Sequence, residues 1–337
     1  MSEAISTNGD IDITDIAEKM QQYASIQTLD NSGGPRKVSE VLDGHYKKVM
    51  ARSQRTGMTG AKTASVDFDN MSGGHQNKDL IIVAARPSVG KTAWLVNDST
   101  EASRGGSVPL IFSAEMTAED VSERHICSIG NIDSKKVRTG LLTDTDWEKY
   151  SKALDILDTL EIYIDDTPGM SVEYIERKIK EFKKKIPNLT VYIDYLQLIE
   201  TEKEFSKSHE RVNYVSKKLK QIGTKYDVPV IAISSVGRKC EDRNDKRPLM
   251  SDLRESGNIE FDADVIIFLY RDDYYYPDTV FKGIIELIVA KGRKIGTGTI
   301  QMVFNRKTGQ FINLNSDDKY KLAEKVRDYE QQRKNRR

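Results

Sequence analysis

Residues 80–103 read LIIVAARPSVGKTAWLVNDSTEAS, and this stretch decides the fold. Its first six residues form an unbroken apolar run rich in β-branched side chains, which predicts a strand buried on both faces, as in a parallel sheet. From Lys91 onward the apolar positions fall at helical spacing, which predicts a helix over 91–103. Between the two, Ala85, Arg86, Pro87, Ser88, Val89, Gly90, Lys91 and Thr92 follow the P-loop pattern, with Ala85 where the usual first glycine stands. That pattern binds phosphates. Backbone N–H groups from Ala85 to Ala93 and a helix amino terminus are aimed at the phosphate oxygens. Lys91 reaches the terminal phosphates, and Thr92 offers an oxygen to magnesium. Gly90 sits where the backbone is most crowded and is the glycine the loop can least lose. A plain strand–turn–helix without a ligand is the competing reading.

Outward from this stretch, apolar runs alternate with amphipathic ones. Strands are predicted near 80–85, 108–114, 161–165, 189–194, 229–234 and 264–270, with helices near 91–103, 117–129, 145–158, 171–185 and 209–225. The alternation predicts an α/β fold whose largely parallel sheet carries helices on both faces. Strands near 284–291, 299–304 and 311–314 follow one another without helices and predict an antiparallel meander at the carboxy-terminal end. Residues 1–54 read as an arm or linker, disordered over 1–12, with helical patterns at 13–28 and 38–54. Residues 55–316 read as the main domain, and 317–337 as a charged, solvated tail.

Composition narrows the classes. Lysine plus arginine number 52 and aspartate plus glutamate 52, so the formal net charge is zero, and any nucleic-acid contact must be a local basic surface. The two cysteines, Cys127 and Cys240, are far apart and match no metal-ligand spacing, which fits a reducing compartment. The start is acidic and polar, and the longest apolar runs, at 80–85 and 265–270, are too short to cross a bilayer. The expectation is a cytoplasmic protein with no membrane partner.

Two carboxylates stand out once a phosphate loop is read. Asp194 closes the apolar run LTVYID at 189–194, where an aspartate can hold the magnesium shell opposite the loop. Taken alone, it would be a turn or cap residue. Glu115 closes VPLIFSAE at 108–115 and can take a proton from the water that attacks the γ-phosphate. The alternative for Glu115 is an ordinary acidic residue at the amino terminus of the next helix.

The chain resembles the carboxy-terminal, RecA-like motor of the DnaB-type replicative DNA helicases, from about Asp67 to Phe311. The pieces that carry the resemblance are AARPSVGKT at 84–92, FSAEM at 112–116, VYIDYLQLI at 191–199, RNDKRPLMSDLRESGNIEFDADVIIFLYRDDYY at 243–275 and AKGRKIGTG at 290–298. Many ATPases share a P-loop, whereas the DLRESGNIEFDAD block is far more specific. The resemblance implies a RecA-like P-loop NTPase that uses ATP and Mg2+. It implies Lys91 and Thr92 as phosphate and magnesium residues, Glu115 as the catalytic carboxylate and Asp194 as the second magnesium residue. Lys291 and Arg293 match the K-x-R pattern that reaches the neighbouring subunit's ATP site in a homo-hexamer; without the family they would be two ordinary basic residues at a strand end. Arg254, Glu255 and Gly257 match the loop that faces the channel and holds single-stranded DNA; a charged surface turn is the plain alternative. A helicase loader or a primase is the further partner implied.

Three departures from the family pattern matter. Ser235 stands where a glutamine γ-phosphate sensor is usual, and K-I-G replaces N-G-P beyond Arg293. The family's helical amino-terminal collar has no room in the sequence, and the first helix of the arm is expected to correspond to the linker helix. The function implied is ATP-driven translocation on single-stranded DNA and duplex unwinding by a hexameric ring. The alternatives are a weakly active regulator or partner of a host helicase ring, and a RecA-like recombinase or circadian-type ATPase.

Overall fold

The computed structural model describes residues 37–53, 58–253 and 259–335. The chain divides into two units, residues 1–57 and 58–337. In the first, α1 (Val38–Ser53) bears out the helical reading of 38–54, with Val41, Leu42, Tyr46 and Val49 exposed. The helical pattern expected at 13–28 lies outside the described residues.

The second unit is built on one nine-stranded sheet. After α2 (Val66–Ser72), β1 (Leu80–Ala85) leads into α3 (Lys91–Arg104), and β2 (Val108–Ser113) into α4 (Ala118–Gly130), α5 (Ser134–Thr139) and α6 (Asp144–Asp158). Then come β3 (Tyr163–Asp165), α7 (Val172–Lys183), β4 (Leu189–Asp194), α8 (Ser208–Tyr226), β5 (Val230–Ser235), α9 (Ile259–Asp262), β6 (Val265–Tyr270) and α10 (Asp272–Tyr275). β7 (Ile284–Gly292), β8 (Gly298–Asn305), β9 (Gln310–Asn313) and α11 (Ser316–Asn335) complete it. The sheet order is β3-β2-β4-β5-β1-β6-β7-β8-β9. The first six strands in that order are parallel, and β6 to β9 are antiparallel. The α/β reading with a terminal meander is thus the observed fold.

Strand alternation divides the core in two. Leu80, Ile82 and Ala84 of β1 face Ile175 and Ile179 of α7 and Val215 and Leu219 of α8. Ile81, Val83 and Ala85 face the opposite layer, with Phe68 of α2, Trp94 and Leu95 of α3 and Phe304 of β8. This is why the whole LIIVAA run is buried. Each such side chain contributes about 1.5–3 kcal/mol when taken fully out of water.

Four short helices, α2, α5, α9 and α10, were not predicted. Each has too few turns to show a period, and local caps carry at least two of them. Ser65 accepts a bond from Phe68 N–H and Gly73 ends α2 at φ 72°, while Asp133 accepts from Lys135 N–H and Gly140 ends α5 at φ 69°. The charged tail, read as a solvated or frayed helix, is the helix α11, whose Lys319 pairs with Asp67 at 2.7 Å. Among the described residues no helix is long and apolar enough to cross a membrane.

Candidate nucleotide-binding site

The carboxyl ends of β1, β2, β4 and β5 all point to one edge of the sheet, where ligands bind in open α/β folds. A cleft of about 690 Å³ lies there, lined by Pro87, Ser88, Gly90, Lys91, Thr92 and Ala93 together with Glu115 and Ser235. The turn from Arg86 to Val89 is closed by Val89 N–H donating to the Arg86 carbonyl at 3.4 Å, and α3 begins as Trp94 N–H donates to the Gly90 carbonyl at 2.8 Å. The crowding expected at Gly90 is real. Its φ is 133°, and a Cβ there would lie 3.2 Å from Phe304 Cζ. The amino terminus of a fourteen-residue helix, with its unpaired N–H groups, therefore opens straight onto the cleft.

Lys91 Nζ donates to the carbonyls of Ala85 at 3.2 Å and Arg86 at 3.3 Å. Burial pushes its ammonium pKa down, opposed by the charges of Asp194 and Glu115. Asp194, at the tip of β4, is 3% exposed. Burial pushes its carboxyl up to about 6 and the negative charge of Glu115 adds to this, while a hydrogen bond to Thr92 and the charge of Lys91 oppose it. Glu115 does not end its strand. β2 stops at Ser113, whose Oγ donates to the Met116 carbonyl at 2.7 Å, and Glu115 occupies the turn so formed. Nor is it the helix cap. Thr117 caps α4, accepting from Asp120 N–H, and the acidic residues of its first turn are Glu119 and Asp120.

The donors fit a magnesium-bound nucleotide. Thr92 and Asp194 are linked hard-oxygen donors beside a phosphate loop. Among the described residues no cluster of three or more His, Cys, Asp or Glu could hold a metal alone. Magnesium held by one or two protein oxygens completes its shell with substrate phosphates and water, which is the donor set Thr92 and Asp194 offer.

Several cleft residues escaped the sequence reading: Arg124 of α4, Arg138 of α5, Arg271 after β6 and Arg306 in the β8–β9 turn. Arg271 is 1% exposed, pairs with Asp273 at 2.8 Å and lies 5.2 Å from the Phe304 ring centroid. An apolar strand running into R-D-D was its only signal. Arg124 and Arg306 had none. Ser235 lines the cleft as the last residue of β5. Beside it, Gln197, in the turn Leu196–Leu198 after β4, donates to Ser234 Oγ at 2.9 Å and accepts from Ser235 N–H at 3.4 Å.

Lys291 and Arg293 lie at the other edge. Lys291 pairs across the sheet with Ile266, next to a bulge between Ile266 and Ile267, and donates to the carbonyls of Glu260 and Ala263. Arg293 approaches Asp264 at 3.4 Å and donates to the Phe261 carbonyl. Asp264 in turn bonds Leu80 N–H at 2.8 Å, the start of β1. The five steps of β1 from Leu80 to Ala85 span roughly 17 Å, so these two cations lie at the opposite end of the sheet from their own chain's phosphate loop. Arg254, Glu255 and Gly257 lie outside the described residues. The described chain reaches them from Leu253, bridged to Val236 just beyond Ser235.

Comparison with known proteins gives a consistent result. Residues 60–313 match the DnaB-like helicase C terminal domain family. The chain is 41% identical over 300 residues to the replicative DNA helicase DnaB of Geobacillus stearothermophilus, covering 88% of this chain and 66% of that protein. It is 41% identical over 302 residues to the replicative DNA helicase DnaC of Bacillus subtilis, covering 89% and 66%. The chain therefore spans just under two thirds of these curated relatives. Among solved structures, a DnaB-like replicative helicase described with its interactions with primase superimposes with a TM-score of 0.77 at 35% identity, over 89% of this chain and 72% of that one.

Proposed function

Since this chain belongs to the DnaB-like helicase C terminal domain family, we propose that it is an ATP-driven replicative helicase motor, working as a homo-hexamer that moves along single-stranded DNA and parts the duplex. The observation that carries this reading is the convergence of Lys91, Thr92, Glu115 and the Thr92-bonded Asp194 at one cleft.

The geometry of the described residues supports the following assignment, and the family resemblance supplies the rest. The N–H groups from Ala85 to Ala93, at the head of α3, cradle the phosphates, and Lys91 leaves its two carbonyl partners for the terminal phosphate oxygens. Thr92 and Asp194 would hold Mg2+, which would offset the charge that develops on the transferred phosphoryl group. Glu115, raised on the Ser113 turn, orients the attacking water and accepts its proton. Lys91 and Arg124 supply fixed positive charge within the chain. Lys291 and Arg293, turned from their own site, supply it to the site of the adjacent copy. Arg254, Glu255 and Gly257 hold the DNA backbone without reading bases, as a motor crossing every sequence requires. A primase is the partner we assign by likeness to the relative described with its interactions with primase, and a helicase loader is a second partner that the family resemblance implies.

ATP hydrolysis by the full chain, with and without single-stranded DNA and alongside light scattering, tests this. Expected are DNA-stimulated turnover in a hexamer and a loss of about a hundredfold or more in Lys91→Ala. Normal turnover in that variant removes the phosphate site from this loop. DNA binding without turnover in the wild type leaves a regulatory partner of another ring.

A further inference from the structure

Arg86 belongs to the phosphate loop in sequence, but its side chain turns to another segment. Nε donates to Glu241 Oε1 at 2.7 Å and Nη1 to the Val236 carbonyl at 3.0 Å. The guanidinium side chain is 13% exposed. Both partners lie in residues 236–253, which follow β5 and are tied both internally and to the sheet: Val236 N–H donates to the Ala85 carbonyl at 3.1 Å, and Arg247 pairs with Glu286 of β7 at 2.6 Å. Val236 is bridged to Leu253, and Gly237 N–H donates to the Asp252 carbonyl at 2.7 Å. Arg243 grips the Asp252 carboxylate through both terminal nitrogens, at 2.9 and 2.6 Å. Lys246 donates to the Glu241 carbonyl at 2.6 Å.

The backbone of Arg86 has a second attachment. Its carbonyl, with that of Ala85, accepts from Lys91 Nζ. A phosphate competes for that same ammonium. Nucleotide occupancy therefore changes what holds the Arg86 backbone, while the Arg86 side chain holds 236–253. Ser235, with one short hydroxyl, cannot make such a reach from the tip of β5. Arg86 contacts the carbonyl of the very next residue.

We infer that the Arg86–Glu241 pair is the side-chain strut that carries nucleotide occupancy from the phosphate loop to segment 236–253, as far as Leu253. Glu241 is a positioning residue in this scheme. It lies outside the cleft lining and acts by fixing Arg86. Because Val236 is bridged to Leu253 and Gly237 to Asp252, a displacement at Val236 is passed directly across the neck of the segment to Leu253, while the Arg247–Glu286 pair holds its far side to β7. The consequence for DNA rests on the function proposed above; the consequence for 236–253 does not.

Glu241→Gln tests the strut, because it keeps shape and loses charge, and Glu241→Asp serves as the conservative rescue. In the full chain, hydrolysis without DNA stays within about twofold of wild type in both. Affinity for a labelled oligo-dT, measured with a non-hydrolysable ATP analogue and with ADP, differs by about fivefold or more in the wild type. That difference collapses in Glu241→Gln and returns in Glu241→Asp. Hydrogen exchange of 236–253 is followed with and without the ATP analogue. Its nucleotide-dependent change is lost in Glu241→Gln and returns in Glu241→Asp. A Glu241→Gln protein that keeps the exchange change overturns the strut. If the wild type binds no oligonucleotide in any state, the DNA assignment fails, and hydrogen exchange still decides the strut.

Discussion

Asp194 is held in a form that suits its work and strains its fold. Its carboxyl ordinarily titrates near 3.8, and burial pushes it up to about 6 in the folded chain. The folded state thus keeps a proton that the unfolded state has already released, so between these values stability falls as pH rises. The displacement corresponds to roughly 3 kcal/mol above the upper value. Asp194→Asn removes the buried charge and keeps an oxygen to accept from Thr92. Without nucleotide, thermal unfolding should show the variant more stable than wild type at about pH 8, with the gain fading as the pH falls to about 4. The same variant should lose magnesium-dependent hydrolysis at every pH. Equal melting at the higher pH would mean that Asp194 carries no burial penalty, and its cleft would be wetter than the structure shows.

The phosphate-loop helix and the strand beside it are tied by two polar rungs. Thr92 meets Asp194 at the cleft, and two helical turns deeper Asp98 of α3 accepts from the Tyr192 hydroxyl of β4 at 3.0 Å. Asp98 also bonds His75 at 2.7 Å and Ala64 N–H at 3.0 Å, so the segment before β1 grips the same carboxylate. Tyr192→Phe removes one buried, charge-assisted bond and leaves the ring in place. It should cost about 1.5–3 kcal/mol in denaturant unfolding. An unchanged midpoint and slope would show that His75 and Ala64 satisfy Asp98 unaided. None of this second rung was legible in the sequence. LTVYID reads as apolar strand, and a buried tyrosine, aspartate and histidine from three distant segments leave no period to detect. What was legible was whatever local spacing dictates: the parallel strands, the meander, and the loop residues Lys91 and Thr92. Glu115 and Asp194 could be placed because each follows an apolar run to the same sheet edge. Arg124, Arg271 and Arg306 could not, because they meet the cleft from a helix, a strand end and a hairpin that only the assembled sheet brings together.

At the scale of the whole molecule, the question is where Lys291 and Arg293 act. Within one chain they sit by Asp264 at the start of β1, across the sheet from Lys91. Burial and the neighbouring Arg293 push the Lys291 ammonium pKa down. The carboxylates of Asp264, Glu260 and Asp262 oppose this, and the two cations together can still draw an anion from another molecule. The head-to-tail ring proposed above would supply such an anion, since each interface would join this edge of one copy to the cleft of the next. Lys291→Ala/Arg293→Ala and Lys91→Ala should each lack hydrolysis alone, the first for want of the donated cations and the second for want of its own phosphate contact. Mixed in equal amounts and allowed to exchange subunits, they should recover activity, because about a quarter of interfaces pair an intact loop with intact cations. Recovery can come only from sites shared between chains. A mixture that stays inactive although subunits are seen to exchange would place the function of Lys291 and Arg293 within their own chain, in holding the start of β6 to β7.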